Sequence, residues 1–149
     1  MVNKIEILPG IEGCVYKLWY ADKYIVVKCK TLVRSVQNIN TNIEYYFKHL
    51  NHDKHQKDNY LQFYQHIQQH PGKQFKIDIL LQSNNPYQLL IAEQTALDAG
   101  MEDENCLNIL FDAYIPQSTQ RNGEKSWINR GYYLNFCIWR KKLREKCQE

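Results

Sequence analysis

Short apolar patterns along the chain predict three β-strands. Residues 14–20 and residues 75–81 alternate apolar and polar side chains, a period typical of strands with one buried face. Residues 24–29 begin with the continuous apolar run 24–27, which predicts a strand buried on both faces. The intervening residues 21–23 are short enough to form a tight hairpin connection between the first two strands.

Apolar residues at spacings of three and four predict the helices. Residues 31–50 have this pattern, with a break expected near residues 38–40. Apolar side chains within residues 61–67 predict a short helix. A longer helix is predicted over residues 85–99, because an asparagine followed by a proline suits a helix start. Gly100 is expected to close that helix.

The order of these elements predicts an α+β fold, in which helices flank a small three-stranded antiparallel sheet. This sheet and its helices account for residues 1–110 of a chain of 149 residues, which is the length of one modest domain. Residues 111–149 are predicted to form a C-terminal extension. Its last helix, over residues 132–146, is apolar and aromatic at its start and basic at its end.

Positive charge is concentrated in the C-terminal extension. The whole chain carries a net charge of +3, whereas residues 121–149 contain 8 Lys or Arg and 3 Glu, a net charge of +5. Such a segment suits a polyanion such as nucleic acid. The alternative is a solvated helix end, because basic residues also favour helix C-termini. The candidate nucleic-acid-binding residues are Arg140, Lys141, Lys142, Arg144 and Lys146.

The compartment is predicted from apolar runs and cysteines. No apolar run approaches the roughly 20 residues that span a bilayer, so no membrane partner is expected. The first ten residues lack the pattern of a secretory signal, and the 5 cysteines are scattered and odd in number. We therefore expect a cytoplasmic protein with reduced thiols, in which Cys14, Cys29 and Cys106 serve as small buried hydrophobic residues.

Five polar residues follow one another in an informative order. The tripeptides Cys14-Val15-Tyr16 and Tyr24-Ile25-Val26 lie on the first two predicted strands, and Arg34 comes ten residues after the second tyrosine. Glu93 lies inside the long predicted helix, and Asn108 follows it. Over roughly residues 13–110 this arrangement resembles the GIY-YIG nuclease domain.

The resemblance implies a metal-dependent endonuclease that hydrolyses DNA phosphodiester bonds. Glu93 would hold Mg²⁺ or Mn²⁺, a hard ion that suits carboxylate oxygen. Arg34 would bind phosphate oxygens through its planar fork of donors. Tyr16 would be the candidate base and Tyr24 would position water or phosphate, although a phenol ionises at neutral pH only where nearby cations lower its pKa. Asn108 would fix the local geometry.

An alternative function follows from two departures from the family pattern. Cys14 and Val26 stand where the two motif glycines belong, and side chains there would crowd the catalytic face. The chain would then be a catalytically inactive member of the fold, acting as a binding or assembly component. Its protein partner would contact the aromatic and basic residues 127–139. An origin in a phage or mobile element would fit either function, and a phage protein could be virion-associated.

Overall fold

The computed structural model describes residues 2–50 and 59–110, so the predicted C-terminal helix lies outside the described residues. Within these two ranges, three strands and four helices form the α+β fold, and the sheet is antiparallel, as predicted. In chain order the elements are β1 (Cys14–Tyr20), β2 (Lys23–Cys29), α1 (Leu32–Thr41), α2 (Ile43–Leu50), α3 (Leu61–Gln69), β3 (Phe75–Gln82) and α4 (Pro86–Gly100).

The sheet has the strand order β2-β1-β3, with β1 in the centre. The β1–β2 hairpin turns through only two residues, Ala21 and Asp22, and Lys23 already belongs to β2. Both turn residues are left-handed, with φ of 45° and 67°. This is the type I′ geometry, whose twist matches that of the flanking strands. The predicted three-residue connection is therefore one residue too long.

The two faces of the sheet bury different side chains. The Tyr16 face consists of alternate residues of the first two strands: Cys14, Tyr16, Leu18, Tyr20, Ile25 and Val27. Helices α1, α2 and α3 cover it, with Phe63 of α3 fully buried. The Tyr24 face consists of Val15, Tyr24 and Val26, and α4 covers it through Leu89 and Leu97. Residues 24–27 are all buried, which confirms the predicted two-sided strand.

Two asparagine side chains occupy the outer edges of the sheet. On the β3 edge, Asn3 Oδ1 accepts a hydrogen bond from the Ile77 backbone N–H at 2.6 Å, and its Nδ2 donates to the Ile77 carbonyl at 3.1 Å. On the β2 edge, Asn108 makes the same pair of bonds to Val26, at 2.8 and 3.2 Å. Each amide thus satisfies backbone groups that an exposed edge would leave unpaired.

The helix boundaries follow local capping. The predicted break near residues 38–40 is wrong: α1 continues to Thr41 and the break falls at Asn42, whose backbone is extended. Asn42 Oδ1 accepts a hydrogen bond from the Tyr45 N–H at 3.1 Å, so its side chain caps the start of α2. The predicted start of α4 is confirmed, because Asn85 accepts from the N–H groups of Tyr87 and Gln88. Within the described ranges, no helix is long and apolar enough to cross a membrane.

Two glycines are required by close packing. A Cβ atom on Gly13 would lie 2.5 Å from the Ser83 carbonyl oxygen and 2.6 Å from Leu89 Cδ1. A Cβ on Gly100 would lie 2.8 Å from Cys106 Sγ. The predicted role of Gly100 as a helix stop is wrong, since α4 includes Gly100 and Met101 is its C-cap. Gly100 instead lets the segment after α4 return against the helix.

Candidate active site

The five residues of the predicted site are divided between the two sides of the sheet. Tyr16 lies in the cluster of the Tyr16 face, and α1, which carries Arg34, packs on that side. Tyr24 lies in the cluster of the Tyr24 face. Glu93 is spaced by four from both Leu89 and Leu97, so it lies on the side of α4 that packs on the Tyr24 face. Asn108 is bound to the edge of β2.

Tyr16 is sealed inside the core. Its side chain is 0% exposed, and its hydroxyl lies 2.6 Å from the Tyr46 hydroxyl, where either group can donate. Burial raises the pKa of Tyr16 well above its ordinary value, and the Cys29 thiol raises it further. Hydrogen bonds from Tyr46 and Ser35 oppose that shift without reversing it. Tyr16 is therefore a neutral phenol at physiological pH in this arrangement.

Tyr24 has a more polar setting on the opposite face. Its hydroxyl donates to Asp103 Oδ2 at 2.8 Å, and its ring packs on Trp19 with centroids 4.6 Å apart. Lys17 Nζ lies 4.7 Å from the centroid of the same ring. Burial is the main cause that raises the pKa of Tyr24, followed by the bond to Asp103, since the carboxylate accepts the phenolic proton.

Glu93 is a buried carboxylate with one cation beside it. The residue is only 6% exposed, and its Oε1 lies 3.3 Å from Lys28 Nζ. Apart from this ion pair, Oε1 accepts no well-formed hydrogen bond from residues 2–50 or 59–110. Burial raises the pKa of Glu93 and outweighs the lowering by Lys28. The charge of Glu93 in turn contributes to the raised pKa of the buried Tyr60 phenol.

Arg34 and Asn108 have contrasting environments. Arg34 is exposed, and its guanidinium forms no ion pair with any residue that the structure describes. Its five donors are therefore accessible to an anion from solution. Asn108 is buried, and its Oδ1 accepts from Cys106 Sγ at 3.3 Å as well as from Val26. Asn108 thus fixes the segment after α4 against β2.

A divalent cation would find a single carboxylate here. Among the described residues, no group of three or more His, Cys, Asp or Glu side chains could hold a metal ion. Glu93 Oε1 nevertheless has the chemistry of a ligand, since it is an anionic oxygen without a hydrogen-bond partner in the described ranges. Mg²⁺ commonly binds proteins through one or two carboxylates and keeps several waters. Among the described residues a cation would therefore find one carboxylate, with the Lys28 ammonium 3.3 Å from its Oε1.

Three residues near the site were not predicted from the sequence. Lys28 follows Tyr24 by four positions in the same strand, and this even spacing places both side chains on the Tyr24 face. The strand alternation in the sequence was therefore enough to place Lys28 near the site. Tyr46 reaches Tyr16 only because α2 packs across the sheet, and Tyr60 approaches Glu93 from the start of α3. Those two contacts depend on tertiary packing, for which the sequence pattern has no marker.

Comparison of the chain with known proteins gives no significant match. A scan against models of protein families gives no match, and neither the curated proteins nor the solved structures contain a significant match. The predicted nucleic-acid-binding residues, Arg140 to Lys146, lie outside the described residues.

Proposed function

We propose that this chain is a metal-dependent endonuclease that hydrolyses DNA phosphodiester bonds, with Glu93 as its metal ligand. The observation that carries the proposal is the buried Glu93 carboxylate, whose Oε1 accepts no well-formed hydrogen bond within the described residues. Burying a carboxylate costs free energy unless it is well paired. A perturbed carboxylate of this kind is more typical of a functional site than of a packing position.

Cationic side chains supply the electrostatic part of the proposed chemistry. A divalent ion at Glu93, Mg²⁺ or Mn²⁺, would offset the negative charge that develops on a phosphate oxygen. Arg34 is exposed on α1, on the Tyr16 side of the sheet, and would bind phosphate oxygens of the DNA through its planar donors. Lys28 places a further positive charge 3.3 Å from Glu93. Asn108 holds the adjoining segment in position through both of its bonds to Val26.

Proton transfer is the most demanding part of the proposal. The pKa values of Tyr16 and Tyr24 are both raised, so neither phenol is ionised at neutral pH. The Tyr16 hydroxyl shares one short hydrogen bond with Tyr46, in which either phenol can donate. To act as a base on water, Tyr16 needs a cation nearby that lowers its pKa. The proposal therefore requires that substrate binding bring positive charge and solvent to the Tyr16 hydroxyl.

A second candidate function has a specific observation in its favour. The Tyr16 hydroxyl is fully buried and already bonded to Tyr46, and Tyr24 lies on the other face of the sheet. Such an arrangement suits a domain that keeps the fold and acts as a binding or assembly component. Its partner would be DNA or a protein that contacts the C-terminal extension.

Cleavage of a supercoiled plasmid in Mg²⁺ or Mn²⁺ separates the two candidates. We expect the natural protein to nick the plasmid, and Glu93→Gln and Arg34→Ala each to slow nicking on the order of 10²-fold, because each removes a charge from the transition state. Glu44→Gln and Lys48→Ala are matched controls on the exposed side of α2 and should leave nicking unchanged.

Two results would contradict the nuclease proposal. Undiminished nicking by a folded Glu93→Gln variant would remove Glu93 from the mechanism. No nicking by the natural protein in either ion would favour the binding component. Fluorescence anisotropy with a labelled duplex would then show whether the full chain binds DNA, and a steep dependence on salt would indicate contacts to phosphates.

A further inference from the structure

Two cysteines lie directly opposite each other in the β1–β2 ladder. Cys14 of β1 pairs with Cys29 of β2, and both side chains belong to the cluster of the Tyr16 face. On the outer edge of β2, the backbone groups of Tyr24 and Val26 bond to the segment of residues 105–108. Along a strand, the backbone groups of successive residues point to opposite sides. The residues that alternate with Tyr24 and Val26, among them Cys29, therefore direct their backbone groups toward β1.

This register places the two cysteines within bonding range. Directly opposed residues of a hydrogen-bonded antiparallel pair have Cα atoms about 5.5 Å apart. A disulfide requires Cα atoms about 4.4–6.8 Å apart and side chains that point to the same side. Cys14 and Cys29 are directly opposed in this register and lie on the same face of the sheet, so the fold itself brings the two thiols together.

We propose that Cys14 and Cys29 form a thiol-modification site, which closes to a reversible intramolecular disulfide on exposure to a small disulfide such as oxidised glutathione. This inference is independent of the proposed nuclease function. It replaces the expectation that both cysteines serve only as small hydrophobic residues. The third described cysteine, Cys106, lies on the Tyr24 face and has no cysteine opposite it among the described residues.

The two sulfurs have different parts in the reaction. Cys29 is partly exposed at the end of an edge strand, whereas Cys14 is fully buried in the central strand. The neighbouring Cys14 thiol is the main cause that lowers the pKa of Cys29, and Ser35 also lowers it, while burial opposes both. The same contact raises the pKa of Cys14. Cys29 is therefore the attacking thiolate and Cys14 the resolving thiol.

The reaction is two successive thiol–disulfide exchanges. The Cys29 thiolate attacks one sulfur of oxidised glutathione, which forms a mixed disulfide and expels a glutathione thiolate. Cys14 then loses its proton and attacks Cys29 Sγ, which forms the Cys14–Cys29 bond and expels the second glutathione thiolate. The protons of the two protein thiols go to the two glutathione thiolates. The protein is oxidised by two electrons, and one oxidised glutathione is reduced to two thiols.

Peptide mapping of the folded full-length protein tests the proposal. The protein would be incubated with oxidised glutathione, its remaining thiols alkylated, and the digest analysed by mass spectrometry. We expect a linked peptide that joins Cys14 to Cys29 and disappears on reduction. Cys106→Ser should keep this peptide, whereas Cys14→Ser should stop at the mixed disulfide on Cys29.

Three outcomes would overturn the proposal. They are a linked peptide that joins other cysteines instead, a natural protein that stops at the mixed disulfide, and a folded protein whose Cys14 and Cys29 remain alkylatable throughout. The mapping of the natural protein decides the question even if a serine variant fails to fold. A denatured sample gives the reference, because an unfolded chain should link its cysteines without preference for this pair.

Discussion

The two faces of the sheet solve the same packing problem with different chemistry. Among the described residues, three helices cover the Tyr16 face, where the buried hydroxyl groups of Tyr16 and Tyr46 bond to each other. One helix, α4, covers the Tyr24 face, where Tyr24 bonds to the carboxylate of Asp103 and Glu93 faces Lys28. The first face holds neutral polar groups and the second holds charged ones.

This difference indicates which face contributes stability and which is suited to chemistry. Neutral hydroxyls that satisfy each other add little electrostatic cost to an apolar core. A buried carboxylate beside an ammonium costs desolvation free energy that the attraction between the charges only partly returns. We therefore expect the Tyr16 face to dominate folding and the Tyr24 face to dominate the response to pH and to cations.

Truncation of one leucine on each face should give the largest effect. Leu18 is 0% exposed on the Tyr16 face of the central strand, and Leu97 is 3% exposed on the Tyr24 face. Leu→Ala in a core costs about 2–5 kcal/mol, and the cost increases with the cavity that remains. We expect both variants to lose free energy of unfolding in this range. Leu18→Ala should lose more, since Leu18 lies in the central strand between Ile25 and Ile77, where the paired backbones limit collapse into the cavity.

Urea unfolding measures both losses and provides the control. Leu61→Ala changes a leucine that is 47% exposed, so it should alter the free energy of unfolding by at most about 0.5 kcal/mol. A larger loss for Leu97→Ala than for Leu18→Ala would reverse the comparison, and would identify α4 as the main stabilising element.

Glu93→Gln should change how stability depends on pH. Burial raises the pKa of Glu93 above its ordinary value of 4.5, so the folded chain binds this proton more tightly than the unfolded chain does. The stability that Glu93 contributes is then fully present below about pH 4.5 and is lost as the pH rises through the raised folded value. Each unit of the shift corresponds to about 1.4 kcal/mol.

Unfolding of both proteins between about pH 4 and pH 8 tests this linkage. The natural protein should lose stability relative to Glu93→Gln as the pH rises, because the glutamine never acquires a charge. The exposed Glu44→Gln is the control and should follow the natural protein. The opposite slope would mean that Lys28 lowers the pKa of Glu93 more than burial raises it.

The sequence predicted the elements of this fold well, and the reasons are local. Alternation and the apolar run 24–27 identified the strands, and Asn85 with Pro86 marked the start of α4, since each signal depends on nearby residues. The errors came from longer-range causes. Asn42 rather than residues 38–40 ends α1, and Gly100 is required by contact with Cys106 rather than by the end of a helix.

The candidate site was less accessible to sequence reasoning. The order of its five residues carries no information about which face of the sheet each one occupies. The two-residue turn fixes a register in which Tyr24 of β2 lies opposite Trp19 of β1, on the same face of the sheet. Trp19 comes three positions after Tyr16, and because side chains alternate along a strand, this odd spacing places Tyr16 and Tyr24 on opposite faces. The catalytic roles of Tyr16 and Tyr24 remain predictions. Their raised pKa values result mainly from burial, which no sequence motif encodes.

Tyr24→Phe should give the smallest effect and is confined to the Tyr24 face. The pKa of Asp103 is lowered first by the backbone N–H of Asn105 and next by the Tyr24 hydroxyl. Removal of the hydroxyl leaves the first bond in place, so the pKa of Asp103 should rise part of the way toward its ordinary value of 3.8.

Carboxyl chemical shifts in an NMR titration would report the change, with the exposed Tyr45→Phe as the matched control. Because the pKa of Asp103 is lowered, this group contributes stability above about pH 3.8 and loses it as the pH falls further. The variant should therefore be less stable than the natural protein above that pH, and the difference should vanish in stronger acid. An unchanged Asp103 titration would mean that the Tyr24 hydroxyl bonds to water in solution, and that the Asn105 N–H is the main cause of the lowered pKa.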